Sequence, residues 1–90
     1  MIIGVVGLGM MGLGIAQVYA QAEHEVRVTD ALPAARDSAL SRLAAALDPR
    51  VAKGAMTAAD RDALLARVQV VEDLAGLAPA DLVIEAVGGK

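Results

Sequence analysis

A glycine-rich run directly after an apolar segment constrains this chain more than any other feature. Residues 7–12 have the sequence Gly-Leu-Gly-Met-Met-Gly, and they separate the apolar residues 2–6 from an apolar pattern of helical spacing over residues 15–22. A strand, a Gly-x-Gly-x-x-Gly turn and a helix in this order predict a dinucleotide-binding turn. We expect Gly7 to make the tight turn, Gly9 to let a diphosphate approach the backbone, and Gly12 to let the helix pack closely on the strand.

The diphosphate is expected to bind mainly to backbone N–H groups at the positive end of the first helix. The predicted cofactor-binding residues in this turn are Gly7, Leu8, Gly9, Met10, Met11 and Gly12. We expect one of the two methionines to pack and the other to face cofactor or solvent. The alternative is a glycine-rich turn that binds no ligand.

An acidic residue at the end of the next apolar segment supports a nicotinamide dinucleotide. Asp30 follows residues 25–29, about 20 residues after the glycines, where a carboxylate accepts hydrogen bonds from the adenosine ribose. Its charge repels a 2′-phosphate, so NAD(H) is favoured over NADP(H). Because Arg27 and Arg36 are positively charged, the sequence does not exclude the phosphate-bearing cofactor NADP(H). Alternatively, Asp30 only caps the turn that follows it.

Composition excludes several classes of protein. Of the 90 residues, 57% are hydrophobic and 1% aromatic, which predicts a thin core of small aliphatic side chains. The absence of cysteine excludes disulfides and thiolate metal sites and is compatible with a cytoplasmic protein. A net charge of −3 argues against nucleic acid as a partner, and the short, interrupted apolar segments argue against a membrane span.

The predicted order of elements is β-α-β-αα-β-β, with strands at residues 2–6, 25–29, 68–71 and 82–86. Right-handed crossovers then give an α/β fold: a truncated, Rossmann-like open parallel sheet with strand order 3-2-1-4 and helices mainly on one face. Its switch point lies between strands one and four, where Ala86 and Val87 are expected to meet the glycine turn. Because only residues 73–78 can cover the second face, we expect a homo-oligomer formed through that face or through strand four.

Residues 7–17, Gly-Leu-Gly-Met-Met-Gly-Leu-Gly-Ile-Ala-Gln, resemble the amino-terminal part of the 3-hydroxyacyl-CoA dehydrogenase family. The resemblance extends over nearly the whole chain and includes Asp30, the Lys53-Gly54 turn and residues 81–87. It implies oxidation of a 3-hydroxyacyl-CoA, as in fatty acid metabolism, by hydride transfer to NAD. Glu23 departs from the family, which usually has glycine there.

The resemblance also implies that residues 1–90 form a partial dinucleotide-binding domain, without the catalytic and substrate domain. Family members use a later histidine and glutamate for proton transfer, whereas this chain ends Gly88-Gly89-Lys90, which suggests a truncated and inactive fragment. His24 is expected at the amino-terminal end of the sheet, opposite the cofactor, so no catalytic residue is assigned. Glu85 is not assigned to catalysis, and Arg42 is interpreted as part of a solvated helix face.

Two other functions remain open from the sequence. One is a segment of another NAD(P)-dependent hydroxyacid dehydrogenase, a group that shares the Gly-Leu-Gly-x-Met-Gly start. The other is a self-assembling scaffold whose nucleotide site is vestigial.

Overall fold

A parallel four-stranded sheet carries three α-helices on one face in the part of the chain that the computed structural model describes, residues 1–86. In chain order the elements are β1 (Ile2–Val6), α1 (Met10–Gln21), β2 (Glu25–Thr29), α2 (Pro33–Ala52), α3 (Ala58–Ala66), β3 (Val68–Val70), a 3₁₀ helix (Leu74–Leu77) and β4 (Leu82–Glu85). The spatial order is β3-β2-β1-β4, which confirms the predicted α/β architecture.

The strand register brings three loops together at one edge of the sheet. Val6, the last residue of β1, pairs with Thr29 on one side and with Glu85 on the other. The chain therefore leaves β1, β2 and β4 at the same level. The residues that follow these strands, Gly7, Asp30 and Ala86, emerge side by side at the predicted switch point.

The core lies between the sheet and the helices. The sheet contributes the fully buried strand residues Ile3, Val5, Val26 and Val28 to this core. The helices contribute small or aliphatic side chains, namely Leu13, Ala16, Ala20, Ala39, Leu43, Leu47 and Leu64. Alanines at the contacts allow the helix backbones to approach the sheet closely, which explains how a chain with so few aromatic residues buries its strands.

The opposite face of the sheet is covered by the 3₁₀ helix, as far as residues 1–86 are concerned. Its Leu77 is buried and lies over Gly4, where an added Cβ would come within 3.2 Å of Ala80 and Val83. Cover of this face is incomplete at β4, because Val83, which lies beside Gly4, is 50% exposed. The predicted asymmetry of the two faces is therefore present.

Glu23 has the one left-handed backbone conformation of a non-glycine residue in the described part of the chain, with a φ of 71°. We expect Glu23→Gly to raise the free energy of unfolding by about 1 kcal/mol, because glycine adopts this conformation without steric cost. Urea denaturation monitored by circular dichroism measures the change. The control is Ala22→Gly, at an ordinary φ of −81°, which should instead destabilise. A loss of stability in Glu23→Gly would contradict the prediction.

Candidate dinucleotide-binding site

A cleft of about 370 Å³ opens at the carboxyl ends of the strands. Its lining consists of residues from the three converging loops, namely Val6, Gly7, Gly9, Asp30, Ala31, Leu32 and Ala86. Ala86 is held there by its N–H, which donates to the Val6 carbonyl at 2.7 Å. The predicted residue Val87 lies outside the described residues.

The three motif glycines meet different structural requirements. Gly7 has a φ of 103°, a conformation that side chains strongly disfavour. Gly12 faces the Gly7 carbonyl so closely that an added Cβ would overlap its oxygen. Gly9 has an ordinary φ of −74°, and an added Cβ would meet no atom within 4 Å. Folding therefore requires glycine at positions 7 and 12, whereas the open space at Gly9 fits a position kept clear for a ligand.

Backbone N–H groups at the start of α1 are left without a side-chain cap. Gly9 occupies the N-cap position and supplies no side-chain acceptor, and the first turn holds no acidic residue. The first backbone hydrogen bond here runs from the Leu13 N–H to the Gly9 carbonyl, at 3.1 Å. In contrast, α3 begins with a Thr57 side chain that accepts from the Asp60 N–H. The start of α1 therefore has the donors that an anion requires.

Asp30 connects the end of β2 to the glycine turn. Its carboxylate accepts from the Leu32 N–H at 2.9 Å and, through the other oxygen, from the Leu8 N–H at 2.7 Å. The bond to Leu32 is the turn cap proposed as the alternative role, and it coexists with the bond to Leu8. Since a carboxylate has about four lone-pair sites, acceptor capacity remains for ribose hydroxyls.

These contacts lower the pKa of Asp30. The hydrogen bonds from Leu32 and Leu8 are the main causes, the charges of Arg36 and Arg42 add to them, and partial burial opposes them. A lowered pKa in the folded state means that the ionised group stabilises the fold above its unfolded pKa. That contribution is lost as the pH falls through the folded pKa. At neutral pH Asp30 is therefore a carboxylate and a pure acceptor.

The non-glycine residues of the turn differ in what they present to the cleft. The Leu8 side chain is buried, so only its backbone faces the loop. Met10 and Met11 are 92% and 67% exposed, which corrects the expectation that one of them packs. Met10 lines a separate apolar cleft of about 490 Å³ between α1 and α2, formed mainly with Leu13, Gly14, Gln17, Leu43 and Ala46. Cofactor contacts of these three residues stay predictions.

The other polar residues singled out in the sequence lie apart from the cleft or contribute backbone contacts. His24 lies in the turn before β2, at the opposite end of the sheet, with its ring 6.0 Å from that of Tyr19. Arg27 donates to Glu25 and to the Gly76 carbonyl, on the face of the 3₁₀ helix. Arg36 donates to the Asp30 carbonyl at 2.8 Å.

Arg42 is a contact of the site that the sequence interpretation missed. Its Nη1 donates to the Leu8 carbonyl at 2.8 Å, so the expectation of a merely solvated residue is wrong. The physical reason is the position of α2, which places this helical turn beside the glycine turn. The helical pattern marks Arg42 as polar, and sequence spacing carries no signal for a contact 34 residues away.

Residues 1–86 hold no group of three or more His, Cys, Asp or Glu side chains arranged for a metal ion. None of the helices in this range has the length and apolar character needed to cross a membrane.

Comparison with known proteins decides the family. The sequence pattern of the family described as 3-hydroxyacyl-CoA dehydrogenase, NAD binding domain, matches residues 2–90. The chain belongs to this family. Its cofactor is accordingly NAD, and the glycine turn, the open position at Gly9 and the Asp30 carboxylate fit that molecule.

Individual relatives agree with the family assignment. The chain is 42% identical over 88 residues to a 3-hydroxyadipyl-CoA dehydrogenase of Escherichia coli, covering 98% of this chain and 18% of the relative. It is 40% identical over 85 residues to a 3-hydroxybutyryl-CoA dehydrogenase of Mycobacterium tuberculosis, covering 94% and 30%. The crystal structure of (S)-3-hydroxybutyryl-CoA dehydrogenase from Ralstonia eutropha has a TM-score of 0.92 at 35% identity, covering 99% and 31%. The chain thus spans less than a third of the length of these relatives.

Proposed function

We propose that this domain holds NAD(H) for the oxidation of a 3-hydroxyacyl-CoA, with the diphosphate on the N–H groups of residues 9–12 and the adenosine ribose on Asp30. The observation that carries the proposal is the coincidence of an uncapped helix start with an open Gly9, both beside a carboxylate. The relatives named as 3-hydroxybutyryl-CoA and 3-hydroxyadipyl-CoA dehydrogenases support the substrate class. When bound, NAD would act as the hydride acceptor.

The residues of this chain bind and orient the cofactor. Asp30 is ionised at neutral pH, so it accepts from the two ribose hydroxyls and repels a 2′-phosphate. Proton transfer is not assigned here, since a general base must lie within hydrogen-bond reach of its proton and His24 lies at the other end of the sheet. We therefore expect the 90-residue chain to bind NADH without turnover.

Fluorescence titration with NADH and NADPH tests this function. Saturable NADH binding is expected, with NADPH bound more weakly. Asp30→Asn should weaken NADH binding about tenfold, because the amide accepts fewer hydrogen bonds. It should also reduce the difference in affinity between NADH and NADPH, because the amide does not repel phosphate. Asp48→Asn, whose carboxylate pairs with Arg61 away from the cleft, is the matched control. If the unaltered chain shows no saturable NADH binding, the proposed function is wrong.

We also propose that the chain forms a homo-oligomer through β4. Within residues 1–86 this strand has a neighbour on one side, β1, and its Leu82 and Val83 are about half exposed. Exposed apolar strand edges favour pairing with another chain. Light scattering at micromolar concentration should therefore give more than the monomer mass, and Val83→Lys should shift it toward the monomer. A monomer mass for the unaltered chain would contradict both this oligomer and the scaffold alternative.

A cytoplasmic location completes the proposal. It is supported by the absence of cysteine and by a small-molecule cofactor that serves metabolism. The scaffold alternative differs from the proposed function in one measurable respect, since it predicts assembly with no NADH binding.

A further inference from the structure

Arg42 makes a contact that helix α2 does not need for its own structure. Its Nη1 donates to the Leu8 carbonyl across the interface with the glycine turn, at 2.8 Å. Its other donors hold the guanidinium in place, because Nε donates to the Ser38 hydroxyl at 3.0 Å and Nη2 to the Ala35 carbonyl at 3.0 Å. All three nitrogens therefore have acceptors, and the planar group has one orientation.

The Leu8 carbonyl shares its peptide with the Gly9 N–H. A trans peptide is planar, so its C=O and N–H point in opposite directions. With the carbonyl directed at the Arg42 guanidinium, the Gly9 N–H is directed away from that guanidinium. Gly9 lines the cleft and Arg42 does not, so the N–H side of this peptide is the side of the cleft.

The preceding peptide is held as well. The Leu8 N–H donates to Asp30 at 2.7 Å, so both polar backbone groups of Leu8 are bonded to side chains from other elements. Free rotation of the Leu8–Gly9 peptide would otherwise direct the carbonyl oxygen toward the cleft, where it would repel an anion. Asp30 and Arg42 therefore restrain the turn at both backbone groups of Leu8.

We propose that Arg42 is a positioning residue, which holds the Leu8–Gly9 peptide so that the Gly9 N–H is presented to the diphosphate. The proposal rests on the proposed function, the binding of NAD(H) at the glycine turn. It assigns Arg42 no direct contact with the cofactor. Preorganisation of this kind strengthens binding because less ordering remains to be done when the ligand arrives.

The experiment compares Arg42→Gln, Arg42→Lys and the control Arg50→Gln, whose arginine lies on the same helix and donates to the Gln21 side chain. NADH affinity is measured by fluorescence, adenosine affinity by NMR titration, and the order parameter of the Gly9 amide by ¹⁵N relaxation without ligand. Thermal unfolding verifies that each variant is folded. Adenosine contains the ribose but lacks the diphosphate, so it separates the two halves of the site.

Both Arg42 variants should weaken NADH binding about tenfold, the effect of losing one charge-assisted hydrogen bond, while adenosine affinity changes less than about twofold. The NMR order parameter of the Gly9 amide should fall in both, because the peptide is less restrained, and Arg50→Gln should behave as the unaltered chain does. Lysine keeps the positive charge but cannot make the three hydrogen bonds. Wild-type NADH affinity in Arg42→Lys would therefore overturn the proposal and indicate that the charge alone attracts the diphosphate. Equal losses for NADH and adenosine would overturn it too.

Failure of the proposed function gives a different result. In that case the unaltered chain binds no NADH, and the Gly9 amide still decides whether Arg42 restrains the peptide. An unchanged order parameter of the Gly9 amide in Arg42→Gln would show that it does not.

Discussion

Gly12→Ala should strongly destabilise this chain, lowering the free energy of unfolding by about 3 kcal/mol. The added Cβ would overlap the Gly7 carbonyl oxygen, which is backbone and has no alternative rotamer. Relief requires the end of β1 or the start of α1 to move, and both are anchored in the core. Because small domains are only marginally stable, a loss of this size removes a large part of the total.

Urea denaturation of Gly12→Ala beside Gly14→Ala measures this effect. Gly14 lies on the same helix, and an added Cβ there would meet no atom within 4 Å. Alanine at that position should stabilise the chain by about 1 kcal/mol through helix propensity. Similar stability of the two variants would show that the helix and strand are not packed as closely as the structure indicates.

Gly9→Val should have the opposite signature, with a large loss of NADH affinity and little loss of stability. Position 9 has extended backbone that any residue adopts and open space beside it. The expected cost to folding is at most about 1 kcal/mol, since valine is a poorer N-cap than glycine. A valine side chain would fill the approach to the uncapped N–H groups, so NADH affinity should fall by at least about tenfold.

NADH titration and urea denaturation on the same samples separate the two effects for Gly9→Val. Gly14→Ala serves again as the control and should bind NADH normally. Retained NADH affinity in Gly9→Val would mean that the diphosphate does not approach the backbone at this residue. Together with Gly12→Ala, the result distinguishes a glycine required by the ligand from one required by the fold.

Most of the fold was predictable because it depends on local rules. The boundaries of β1 and β2 match the sequence prediction residue for residue, since each is an apolar segment that ends at a glycine or an aspartate. The other predicted strands are each one residue too long. The cap of α3 is local in the same way, since the Thr57 side chain accepts from the Asp60 N–H three residues later. Glu23 stands where the family usually has glycine, and its φ of 71° is a left-handed conformation that glycine adopts easily.

The site was predictable in outline only. Fixed spacing within one β-α-β unit predicts that Gly7, Gly9 and Asp30 meet, and the structure brings them to one cleft, while their contacts with the cofactor stay predictions. The orientation of Met10 could not be predicted from the sequence, since it depends on how α1 is rotated against α2. The sequence also did not predict the second role of Asp30, whose carboxylate accepts a hydrogen bond from the Leu8 N–H.

What the sequence by itself determined is the order of elements and, through the right-handedness of crossovers, the arrangement β3-β2-β1-β4. What only the tertiary structure decided is how the glycine turn is held, by Asp30 from 22 residues away and by Arg42 from 34. The physical reason is that chirality and steric preference act on each residue and its neighbours. Hydrogen bonds between distant segments instead require the position of every helix on the sheet.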